Sequence, residues 1–66
     1  MTPATFRAEL AALGLTVERF AALTGLSRTT CEGWGRARSG RDVQAFPRWV
    51  DLLIEAWTTH RNLIPD

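Results

Sequence analysis

The sequence predicts an all-α fold, a small four-helix bundle formed by one domain over residues 1–66. Three observations point there. Apolar residues recur three and four apart in four separate segments, the spacing of one helix face. Each segment opens on Thr, Ser or Pro, and the early ones stop at Gly. No stretch alternates apolar and polar residues for long enough to form a strand.

The elements follow in chain order. Thr2 is an N-cap candidate and Pro3 suits a first helical position. Phe6, Leu10 and Leu13 then share a face, so a helix is expected over about 3–13, stopped by Gly14. Thr16 caps the next helix, about 17–24, with Glu18 in its first turn, where a carboxylate suits the helix dipole. Phe20, Ala21 and Leu23 are its apolar side, and Gly25 breaks it. Ser27 caps a third helix, about 28–35, with Cys31 and Trp34 turned inward. Residues 36–46 read as an arginine-rich loop punctuated by Ser39 and Gly40. Pro47 is expected to open the last helix, about 47–59, followed by a frayed tail ending in Pro65-Asp66.

A chain of 66 residues buries only about 60% of its unfolded surface, so its core is thin and a partner subunit would help it. It is 45% hydrophobic and 23% charged, the balance of a globular domain. With the single cysteine Cys31 and the single histidine His60, neither an internal disulfide nor a metal cluster is expected, and no cofactor is implied. Neither a signal-peptide pattern nor an apolar run of ~18 residues occurs, so a cytoplasmic location is expected. An enzyme is not expected, because no paired nucleophile and base and no phosphate-cradling glycine loop are present.

The net charge is only +1, and every basic residue is Arg. Its distribution is uneven. Residues 1–26 are balanced, and residues 49–66 are acidic. Residues 27–48 carry Arg28, Arg36, Arg38, Arg41 and Arg48 against Glu32 and Asp42. Arginine presents a planar fork that suits phosphates and guanine edges. Codon preference in a G+C-rich genome is an equal explanation for the missing lysines, though not for the clustering.

The second and third helices are the informative pair. Ala21 allows close approach, Gly25 takes a left-handed turn, and Leu26 plugs the junction. Cys31 and Trp34 anchor the third helix from below, which leaves Arg28, Thr29, Glu32 and Gly33 outward. That is the arrangement of a helix-turn-helix, whose second helix enters the major groove.

On these residues the sequence resembles the Cro and phage-repressor type of helix-turn-helix regulator. The carrying segments are FRAELAALG (residues 6–14), LTVERFAALTGLSRTTCEGW (residues 15–34) and Pro47-Arg48-Trp49. The resemblance spans roughly residues 3–58. It implies that Ser27, Arg28 and Thr29 face DNA, with Arg28, Thr29, Glu32 and Gly33 at base-reading positions. It also implies that Thr16 contacts the backbone, and Thr30 is within reach of a phosphate. The chain departs from the family in having Val17 where a Gln is usual, Gly35 where a Glu is frequent, and a longer segment from Arg36 to Phe46.

Several residues admit two readings. Arg28 is either a base or phosphate contact or a solvated surface group. Glu32 accepts from a cytosine amino group or pairs with Arg28 four residues earlier. Gly33 marks either close approach to DNA or the end of the helix, and for Gly35 the helix end is the better reading. Arg36, Arg38 and Arg41 contact phosphates, which would make binding salt-dependent, or belong to a solvated loop. Cys31 reads as core and His60 as surface.

In the last helix, Val50, Leu53, Ile54 and Trp57 cover the core. Trp49, Leu52 and Ala56 form a second apolar stripe, an excess that suggests a homodimer interface. The alternative is that Trp49 lies under the 36–46 loop. The expected function is a sequence-specific transcriptional repressor that binds a palindromic operator in double-stranded DNA. The competing expectation is a protein-interaction module that keeps this fold without specific DNA binding.

Overall fold

The computed structural model describes residues 1–36 and 45–65. It is all-helical, with α1 (Pro3–Ala12), α2 (Val17–Thr24), α3 (Arg28–Gly33), α4 (Arg48–Thr59) and a short 3₁₀ turn, Arg61–Leu63. No strand occurs among the described residues. No helix among them is long and apolar enough to cross a membrane.

Three of the four helices start where a side-chain hydroxyl replaces the missing backbone acceptor. Oγ1 of Thr2 accepts from Thr5 N at 3.1 Å. Oγ1 of Thr16 accepts from Arg19 N at 3.1 Å. Oγ of Ser27 accepts from Thr30 N at 3.1 Å. α1 ends one residue before the expected Leu13, and the chain turns at Gly14 with φ +74°. α2 ends at Gly25, φ +76°. Leu26 N then donates back to Ala21 O at 3.0 Å, the six-to-one bond of a Schellman motif.

α3 is shorter than the expected 28–35 and stops at Gly33. Trp34 (φ −65°, ψ 135°) and Gly35 (φ +74°) are the central residues of a type II turn. Arg36 N closes it on Gly33 O at 3.3 Å. Gly35 is required twice over: a Cβ there would also lie 2.7 Å from Phe46 Cε2 and 2.9 Å from Pro3 Cδ.

α4 begins at Arg48 rather than Pro47, whose ψ of 142° keeps it outside the helix. The reason is Phe46. Its ring centroid sits 5.3 Å from that of Phe6 and 5.8 Å from that of Trp34, and the extended backbone of Pro47 follows it. Of the expected frayed tail, residues 61–64 are anchored, and Asp66 lies outside the described residues. Arg61 Nη2 donates to Ala12 O at 2.6 Å, satisfying a carbonyl at the end of α1, and Ile64 packs on the core.

Phe6 and Leu10 of α1, Phe20 and Ala21 of α2, Cys31 and Trp34 at α3, and Val50, Ile54 and Trp57 of α4 are buried. Phe20 is the hub, meeting Phe6 edge-on at 5.2 Å and Trp57 edge-on at 5.8 Å. Such pairs add about 0.5–1.5 kcal/mol each beyond the area they bury. No buried side-chain nitrogen or oxygen lacks a partner among the described residues.

Candidate nucleic-acid interface

The packing of α3 decides which of its residues can meet a partner. Cys31 is 1% exposed and Trp34 4% exposed. These two hold the helix against Phe6 and Phe20, since Trp34 meets both rings edge-on at 6.0 and 6.4 Å. Ser27, Arg28, Thr29 and Thr30 are exposed, whereas Glu32 and Gly33 are half-buried. Gly33 is the last residue of α3. Burial raises the Cys31 thiol above its ordinary value, with the Glu32 charge adding to this, so the sulfur stays protonated.

Arg28 is the centre of an ion-pair cluster. Its Nε donates to Glu32 Oε1 at 2.9 Å, an i,i+4 contact along α3. Its Nη1 lies 3.9 Å from Glu18 Oε2 on α2. The hydrogen bond to Glu32 and the two negative charges raise the guanidinium pKa further above its already high value. Arg28 is therefore a fixed cation whose charge is already balanced locally.

An open groove of about 480 Å³ runs beside this cluster where α1, α2 and α3 meet. Leu10, Leu15 and Val17 give it apolar walls, and Arg7, Thr16, Glu18, Arg28 and Glu32 its polar ones. Of the expected contact residues, Thr16, Arg28 and Glu32 thus share one surface. Ser27 and Thr30 lie at the start of the same helix, joined through their hydroxyls at 2.8 Å. Arg36 is exposed beyond the turn that ends α3. Arg38 and Arg41 lie outside the described residues.

Glu18 and Arg7 join this surface without having been singled out as contacts. Glu18 reads locally as a first-turn acid. Only its placement ten residues before Arg28, across a turn capped by Gly25, hints at the pairing.

The stripe on α4 divides. Leu52 is 55% exposed and Ala56 half-buried. Trp49 is 40% exposed, but its ring stacks on Phe20 at 6.2 Å with 4° between planes. It also meets Trp34 edge-on at 5.8 Å. No group of three or more His, Cys, Asp or Glu among the described residues is placed to hold a metal.

The chain matches no protein-family model, no curated protein and no solved structure.

Proposed function

We propose that this chain is a sequence-specific DNA-binding regulator that acts in the cytoplasm as a homodimer and represses by occluding a promoter. In this reading α2 and α3 form a helix-turn-helix with α3 in the major groove. The observation that carries it is the two-sided character of α3. Cys31 within the helix and Trp34 just after it are sunk in the core, while Ser27, Arg28, Thr29 and Thr30 stand exposed around its first turn. Thr16 at the start of α2 and Arg36 beyond α3 flank that surface and suit phosphate contacts. Two α3 helices brought about one DNA turn apart by α4 would read a palindromic site.

The test is a competition assay with Arg28→Ala. A bidentate Arg–guanine contact accounts for roughly tenfold or more in discrimination. The variant is expected to lose its preference for a selected duplex over a scrambled one while keeping its helical circular dichroism. Unchanged preference would overturn the role of Arg28.

One observation favours a second reading. Arg28 is already paired with Glu18 and Glu32, as suits a surface that binds protein rather than a polyanion. An absence of binding to any duplex at micromolar protein and low salt would favour that interaction module.

A further inference from the structure

We propose that Glu18 and Glu32 act as specificity-determining residues, a carboxylate clamp on Arg28 that suppresses its contact with phosphate and reserves it for a guanine edge. The proposal rests on the DNA-binding reading above.

The geometry gives the two targets different access to Arg28. Nε is committed to Glu32 at 2.9 Å. Glu18, at 3.9 Å from Nη1, attracts the guanidinium without forming a hydrogen bond. Of the five guanidinium protons, the four on Nη1 and Nη2 remain free to donate. A guanine presents two neutral acceptors, O6 and N7. The free end of the fork can meet them while Nε stays on Glu32, and no like charges are brought together. A phosphate is an anion. To reach Arg28 it must approach two carboxylates, or Arg28 must abandon both. Either route opposes the counterion release that drives non-specific binding.

The clamp also joins the two helices, because Glu18 belongs to α2 and Arg28 to α3. It therefore biases the guanidinium toward this position, weakly, because both pairs are exposed to solvent. Arg7 lines the same groove. The charged side chains lining that groove are two Arg and two Glu.

The experiment titrates labelled random-sequence and selected duplexes by fluorescence anisotropy between 50 and 200 mM salt. Wild type is compared with Glu18→Gln/Glu32→Gln, and with Asp51→Asn/Glu55→Gln, which makes the same charge change at exposed positions of α4. Freeing Arg28 for one more phosphate should steepen the log–log salt slope on random duplex by about 0.9 and raise affinity at 50 mM about tenfold. The selected-to-random ratio should fall correspondingly, and the α4 variant should show neither effect. Wild-type binding to the selected duplex with equal gains in both variants would overturn the clamp and leave the DNA-binding reading standing. A wild type that binds no duplex would overturn both.

Discussion

The indole of Trp49 lies parallel to the ring of Phe20, 6.2 Å away with 4° between their planes. One face of this tryptophan therefore belongs to the core, although its position on α4 is on the outer stripe. Leu52, three residues on, is 55% exposed.

The two residues should separate stability from assembly. Trp49→Ala is expected to lower unfolding free energy by about 2 kcal/mol, less than a fully buried tryptophan would because its outer face is exposed. Leu52→Glu should leave monomer stability within about 0.5 kcal/mol and abolish the proposed dimer in sedimentation velocity. A wild type that sediments as a strict monomer, free and on DNA, would contradict the α4 interface.

Two glycines with positive φ should differ in tolerance. Gly25 and Gly35 both have positive φ, but a Cβ at Gly25 meets open space, whereas one at Gly35 meets Phe46 and Pro3. Gly25→Ala is expected to cost about 1 kcal/mol from the left-handed backbone alone. Gly35→Ala adds a steric clash and should cost about 3 kcal/mol. Equal losses in chemical denaturation would contradict the packing of Phe46 across this turn.

The serine at the start of α3 has a structural task that can be split from DNA contact. Ser27→Ala removes the bond from Thr30 N and should cost about 1 kcal/mol. Ser27→Asp keeps a capping acceptor and should retain stability. On the proposed interface its added charge should weaken duplex binding about tenfold at 50 mM salt. Undiminished binding by a stable Ser27→Asp would place DNA elsewhere on the molecule.

The four helices were legible in the sequence because their signals are local. Thr2, Thr16 and Ser27 sit where caps must sit, and Gly14 and Gly25 take the positive φ that ends a helix. The misplaced details depend on distant contacts. Helix α4 starts late because Phe46 reaches Phe6 and Trp34, and the tail is held because Arg61 finds Ala12, forty-nine residues earlier. Periodicity carries no trace of either. On the candidate interface, the Arg28–Glu32 pair was open to sequence reading through its i,i+4 spacing. The second arm from Glu18 was not, since it depends on how α2 and α3 cross.

Selection from a pool of random duplexes tests the central claim most directly. If α3 reads the major groove in a two-fold dimer, successive rounds should enrich one motif in two inverted copies, centred ~10 base pairs apart. The same rounds with Arg28→Ala should enrich none. A wild-type pool that stays as random as its input, with no duplex retained at micromolar protein and 50 mM salt, would contradict the claim that this chain is a DNA-binding regulator.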